Sequence, residues 1–89
     1  MAYKNPPRRQ RNELKRMVLA SLENREWVST PMIRRLTGWI WHRPLNFHLE
    51  RYRSYGLVKR KGKWNQKPIL WRITRQGKRK LAWLRKTMS

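Results

Sequence analysis

The apolar residues that follow residue 11 recur at helical spacing. They predict an amphipathic helix over residues 12–24 with Asn12 as its N-cap. The apolar positions that carry this prediction are Leu14, Met17, Val18 and Leu22. Residues 1–10 have almost no apolar content and include a Pro-Pro pair, so we expect an extended, mobile basic arm ahead of the helix.

Two further helices are predicted in the middle of the chain. Ser29-Thr30-Pro31 places a hydroxyl N-cap before a proline at the first helical position, and Gly38 suits the residue just past the helix end. Pro44 opens a third helix that ends near Gly56. We expect the buried side chains to be Met32, Ile33 and Leu36 in the second helix, and Leu45, Leu49 and Tyr52 in the third.

The last third of the chain predicts a β-hairpin and a final helix. Residues 57–61 and 69–73 have the composition of strands, and the loop between them has turn residues at both ends. Thr74 can cap a helix over 75–87, which would return Leu81, Leu84 and Trp83 to the core. Large aromatic residues bury the most apolar area, so we also assign to the core Trp27, Trp39, Trp41 and Trp71.

Charge narrows the choice of partners. The 89 residues suit one domain, and they carry 24 Lys and Arg against 4 acidic residues, a formal net charge of +20. Such a charge opposes the compact state by self-repulsion, so a polyanion that binds the fold should also stabilise it. Nucleic acid, an anionic membrane surface and acidic protein tails are the partners compatible with this charge.

Several classes of chemistry are disfavoured. Without cysteine the chain has no disulfide and no thiolate zinc site, and His42 and His48 have no third ligand nearby, so we expect neither metal nor cofactor. No catalytic set of side chains is recognisable, so we expect no enzyme. The chain has neither the roughly 20 apolar residues of a membrane span nor a secretory signal, so we expect a cytoplasmic or nucleoid-associated protein without a membrane partner.

Four short motifs occur in a fixed order along the chain. They are Thr30-Pro31, Leu36-Thr37-Gly38, Tyr55-Gly56-Leu57-Val58 and Ile73-Thr74-Arg75-Gln76-Gly77. Their order resembles the winged helix-turn-helix proteins, in particular the MarR-like and ArsR-like regulators. The resemblance implies an α+β, mainly α domain over 11–89, with a three-helix core, a hairpin wing and a C-terminal helix. The bulky stretch between Gly38 and Pro44 departs from the family, which usually has a tighter, more polar turn there.

The resemblance also implies where nucleic acid would bind. The helix over about 43–55 would lie in the major groove, and the wing over 59–68 would touch the backbone or minor groove. Arginine can fork onto guanine, Asn46 onto adenine, and Phe47 can meet a thymine methyl. The candidate nucleic-acid-binding residues are Arg43, Asn46, Phe47, Glu50, Arg51 and Arg53 on the helix, Lys59, Arg60, Lys61, Lys63, Trp64 and Lys67 on the wing, Arg8 and Arg9 in the arm, and His42 in the turn.

Several of these residues also have a purely structural interpretation, and the basic arm can be a free, solvated tail. The arginines can form a solvated face, and Phe47 can complete the edge of the core. Glu50 can pair with Arg53 or Arg43 instead of reading cytosine, and Trp64 can pack across the wing onto Trp71. His48 lies one residue from the buried line of the third helix, so we expect it to be partly buried.

The expected function is binding of double-stranded DNA, sequence-specific or architectural, by a transcription regulator. One alternative is an RNA-binding or ribosome-associated protein, because basicity and aromatic residues also suit unpaired bases. Another is a protein-interaction module that binds an acidic partner or forms a homodimer through its first and last helices.

Overall fold

Seven elements make up the fold of the residues that the computed structural model describes, which are 8–38, 44–62 and 68–88, with side chains from Arg11 to Thr87. In chain order they are α1 (Arg8–Leu22), β1 (Val28–Ser29), α2 (Thr30–Thr37), α3 (Leu45–Ser54), β2 (Val58–Lys61), β3 (Leu70–Ile73) and α4 (Arg75–Met88). The protein is therefore a small α+β domain that is mainly helical, which confirms the predicted class.

The first helix begins earlier than the sequence predicts. α1 starts at Arg8, so Asn12 lies inside the helix, and residues 8–10, which we assigned to the arm, are helical. Arginine and glutamine are good helix formers, so these residues can extend the helix without apolar side chains. The helix ends at Leu22 instead of residue 24, because Asn24 adopts a left-handed φ of 62°.

The predicted C-terminal end of α2 is confirmed, whereas the hydroxyl N-cap lies one residue earlier than predicted, so that Pro31 is the second helical residue. The Ser29 hydroxyl accepts a hydrogen bond from the backbone N–H of Met32 at 3.3 Å, so Ser29 is the N-cap. Gly38 has a φ of 62°, and its N–H donates to the Arg34 carbonyl. At the next helix, Pro44 is the N-cap residue and lies just outside α3, where the sequence had placed it inside the first turn.

The predicted hairpin is confirmed and belongs to a three-stranded antiparallel sheet in the order β1-β3-β2. On the central strand β3, Trp71 pairs with Val28 on one side and Arg60 on the other. The Trp71 side chain is fully buried, and its indole N–H donates to the Thr30 hydroxyl at 2.9 Å. The central strand is thereby tied to the first residue of α2.

The core lies between the helices and the inner face of the sheet. Its largest fully buried side chains are Trp71, Leu14, Leu19, Leu22, Ile33, Leu45, Leu49, Leu81 and Leu84. Three core predictions are wrong, because Met32, Leu36 and Trp83 are exposed. Trp27 is half-buried, while Trp39 and Trp41 lie outside the described residues.

The geometry of short or surface helices explains these errors. In the eight-residue α2 only the stripe formed by Ile33 and Thr37 is buried, and Met32 and Leu36 lie on the neighbouring stripe. Trp83 lies one position from the buried Leu84 and is stacked instead under the Lys80 ammonium, 4.2 Å from the ring centroid.

Thr74 joins the end of α3 to the start of α4. Its hydroxyl donates to the Gly56 carbonyl at 2.6 Å and accepts from the Gly77 N–H at 2.9 Å, which confirms the predicted cap. Its own N–H donates to the Leu57 carbonyl at 3.0 Å. This junction brings Gly77 into close contact with the backbone of Leu57.

Candidate nucleic-acid interface

α3 has a buried stripe and an outward polar side. Leu45, Leu49 and Tyr52 are buried, as the sequence predicts. The other side of the helix carries Asn46, Phe47, Glu50, Arg51 and Arg53, of which Phe47, Arg51 and Arg53 are exposed and Asn46 and Glu50 are half-buried. A shallow groove of about 670 Å³ runs along this side, lined by Pro44, Asn46, Phe47, Glu50 and Arg51. The helix is therefore fixed by its apolar stripe and presents predicted contact residues outward.

Phe47 is an exposed aromatic residue within this groove. Its side chain is 42% exposed, so it does not complete the core. The ring meets His48 edge to face, with centroids 5.6 Å apart, and His48 is half-buried as predicted. Asn46 is also half-buried, and its Oδ1 has no hydrogen-bond partner among the described residues. The aromatic ring is thus available at this surface, whereas the Asn46 Oδ1 is buried from solvent.

Glu50 forms ion pairs with two arginines. Its Oε2 lies 3.1 Å from Arg53 Nη2, which confirms one of the two predicted pairings, and its Oε1 lies 2.9 Å from Arg60 Nη1. The Arg60 and Glu50 side chains are only 18% and 22% exposed. Because both carboxylate oxygens accept hydrogen bonds inside the protein, Glu50 attaches the hairpin to α3.

Strand alternation divides the three predicted wing cations that lie on β2 between opposite faces of the sheet. Successive side chains of β2 point to opposite faces, so Arg60 lies with the buried Val58 on the side of α3. Lys59 and Lys61 are exposed on the other face. These cations therefore do not lie on one surface. The alternation of side chains along a strand, with a period of two, was the sequence signal that could have assigned them to different faces.

Cations are crowded where α1 meets α3. Lys15 Nζ lies 5.9 Å and 5.8 Å from the ring centroids of Tyr52 and Tyr55. Burial, followed by repulsion from Lys80 and Arg51, lowers the pKa of Lys15 below its usual value. A bound anion would relieve this repulsion.

Arg51 is held in place at the same edge. Its Nε donates to the Tyr55 hydroxyl at 3.2 Å. That hydrogen bond, followed by the positive charges of Arg51 and Lys15, lowers the pKa of Tyr55. Burial has the opposite effect on Tyr52, whose pKa is raised. Arg51 is thus an exposed cation that lines the groove and is held by a hydrogen bond to Tyr55.

Some predicted contacts cannot be compared with the structure. Arg43, His42, Lys63, Trp64 and Lys67 lie outside the described residues. Arg8 and Arg9 begin α1, but their side chains are also outside the described set. Their roles stay predictions.

Among residues 8–38, 44–62 and 68–88 there is no group of three metal-ligating side chains. No helix within these ranges is long and apolar enough to cross a membrane. No protein-family model matches the chain, and a comparison with curated proteins gives no match.

Proposed function

We propose that this protein binds double-stranded DNA as a winged helix domain, with α3 in the major groove and the β2–β3 hairpin beside it. The observation that carries the proposal is the division of α3 into a buried apolar stripe and an outward side with Phe47 and Arg51 exposed. A regulatory protein, sequence-specific or architectural, would use such a surface.

The dimensions of α3 support the proposal. Its ten residues make a rod about 15 Å long at about 1.5 Å per residue. The major groove of B-DNA is about 12 Å wide and admits one α-helix, so the outward side of α3 could face the base edges. The Glu50–Arg60 contact holds β2 against α3, so the hairpin and the helix would approach DNA together.

Individual side chains on α3 have distinct roles in this proposal. Arg51 supplies a guanidinium for guanine or phosphate, and Phe47 supplies an apolar contact for a thymine methyl. Asn46 would contact adenine only after its Oδ1, which is buried and has no hydrogen-bond partner among the described residues, became exposed on binding. Glu50 positions Arg53 and Arg60 and does not read a base, because its oxygens are already bonded.

The test is a fluorescence titration of duplex DNA over a range of salt concentrations. Arg51→Gln is compared with Arg79→Gln, which removes the same charge from an exposed position on α4. We expect Arg51→Gln to weaken binding by about tenfold and to reduce the slope of log affinity against log salt by roughly 0.9, the value for one phosphate contact. Equal effects of the two substitutions would contradict the proposal.

Structured RNA provides the competing ligand. The net charge of +20 attracts any polyanion, so binding to DNA alone does not identify the ligand. We expect duplex DNA to displace structured RNA at moderate salt, because the major groove of an RNA duplex is too narrow and deep for α3. Preference for RNA would overturn the ligand assignment, and enrichment from a random duplex pool would separate a sequence-specific regulator from an architectural protein.

A further inference from the structure

The outer face of the sheet carries a second basic surface, separate from α3. A cleft of about 640 Å³ lies where the end of α1, the hairpin and the start of α4 meet. We call it the sheet cleft. Among the side chains that line it are Trp27, Arg25, Lys59, Arg72, Arg75 and Lys78. Only Lys59 of these belongs to the contacts predicted from the sequence.

The sheet cleft has a large excess of positive charge. Glu26 is the one carboxylate among the described residues that line it, against five cations. None of the five is in an ion pair within the part of the chain that the structure describes. Lys59 and Arg72 are directly opposite each other on β2 and β3, an arrangement in which like charges are destabilising. An anion bound between them would remove that repulsion.

Trp27 adds an aromatic ring to this charge. It directly precedes β1, where Val28 pairs with Trp71, so continuing the register puts Trp27 beside Arg72. The indole is half-buried, and Lys61 Nζ lies 5.6 Å from the ring centroid. A positively charged groove with an aromatic platform is the combination that binds single strands, because the cations follow the phosphates while a base stacks on the ring.

We propose that the sheet cleft binds a segment of single-stranded nucleic acid, with its phosphates on Lys59, Arg72 and Lys78 and a base against Trp27. Single-stranded nucleic acid fits better than a duplex, because paired bases stay stacked inside a duplex and cannot reach the indole. The side chains of Lys59 and Arg72 point away from the face where Arg60 meets α3. If α3 also binds DNA as proposed above, one molecule can hold a duplex and a single strand together.

The first test uses short labelled oligothymidylate without any duplex present. Arg72→Gln/Lys78→Gln is compared with Arg79→Gln/Lys86→Gln, which removes two exposed charges from α4 outside the sheet cleft. We expect the first variant to bind about tenfold more weakly than the second. The slope of its log affinity against log salt should be smaller by about 1.4, because each of the two lost phosphate contacts to a single strand contributes roughly 0.7. Equal affinities and slopes for the two variants would overturn the proposal.

The second test isolates the stacking contact. Trp27→Leu keeps an apolar side chain but removes the ring, so oligothymidylate should bind at least about fivefold more weakly with an unchanged salt slope. An abasic oligonucleotide of the same length should bind wild type and Trp27→Leu equally, and should bind wild type more weakly than oligothymidylate does. If wild type bound the abasic and thymidine strands with equal affinity, the assignment of a base to Trp27 would be wrong, whatever the stability of the variant.

A duplex titration of the same proteins separates this proposal from the role of α3. We expect Arg72→Gln/Lys78→Gln to keep the duplex affinity of its control variant. If Arg72→Gln/Lys78→Gln lost affinity for duplex DNA but kept its affinity for oligothymidylate, the sheet-cleft proposal would be overturned, because the cleft would then bind duplex DNA. If neither wild type nor any variant bound duplex DNA, only the proposed role of α3 would be contradicted. The sheet-cleft proposal would stand, because the oligothymidylate measurements do not involve duplex DNA.

Discussion

Gly77→Ala is the substitution for which sequence propensity and structure predict opposite results. Gly77 lies in the first turn of α4, where alanine normally stabilises a helix by about 1 kcal/mol relative to glycine. In this fold a Cβ at position 77 would collide with the Leu57 carbonyl oxygen and lie 2.8 Å from Ile73 Cγ1. The structure therefore predicts destabilisation.

The magnitude depends on whether the neighbours can move. The Leu57 oxygen is a backbone atom that accepts the Thr74 N–H at 3.0 Å, so moving it weakens the junction between α3 and α4. Overpacking typically costs about 1–3 kcal/mol, and a lost hydrogen bond about 0.5–1.5 kcal/mol. Alanine's higher helix propensity offsets part of this cost, so we expect Gly77→Ala to lower the free energy of unfolding by about 1–3 kcal/mol.

Urea unfolding followed by circular dichroism measures this effect, with thermal unfolding as a second readout. A loss of this size should lower the Tm by roughly 4–8 °C per kcal/mol for a domain of this length. Arg79→Ala, at an exposed position two residues along the same helix, is the control and should change stability by less than about 0.5 kcal/mol. A Gly77→Ala protein as stable as wild type, or more stable, would refute the packing argument.

Three further substitutions test other contacts. Glu50→Gln should lower the free energy of unfolding by about 1–2 kcal/mol in urea, because the mostly buried Arg60 loses its carboxylate partner; an unchanged value would mean that the contact does not hold the hairpin. Trp71→Phe should cost about 2–3 kcal/mol, since it leaves a cavity and removes the hydrogen bond to Thr30, whereas a cost below about 1 kcal/mol would contradict the central position of this indole. Arg85 donates hydrogen bonds to both carboxylate oxygens of Glu23, and this contact lowers the pKa of Glu23 in the folded protein. The ion pair therefore stabilises the fold fully at a pH above the pKa that Glu23 has in the unfolded chain. This stabilisation is lost as the pH falls through the lower pKa of Glu23 in the folded protein. Glu23→Gln should accordingly have a lower Tm than wild type at pH 7 and the same Tm in strong acid; a difference that persists in acid would rule out the ion pair as its cause.

The parts of the fold that sequence predicts well depend on local chemistry. A hydroxyl before Pro31 and the glycine at 38 mark both ends of α2, and Thr74 marks the start of α4. The spacing of Leu45 and Leu49 likewise identifies the buried side of α3. Each of these signals acts within one helical turn, so neighbouring residues in the sequence are sufficient to read it.

The parts that sequence predicts poorly depend on contacts between distant segments. Met32 and Trp83 are apolar, so residue type alone predicts that they are buried. They are exposed because no other element of the described chain packs over them, which the sequence around them does not reveal. The link between Glu50 and Arg60 crosses from α3 to β2. The sheet cleft was missed because the residues following α1 meet the hairpin only in the folded domain, so Trp27 and Arg72 had no common local signal.

The most direct test of the central claim is the set of amide NMR shifts that change when a short duplex is added to the labelled protein. If α3 enters the major groove, the amides of residues 46–53 and of β2 should shift, while those of the C-terminal half of α4 should not. Shifts concentrated on α4 and α1, with α3 unchanged, would contradict the account.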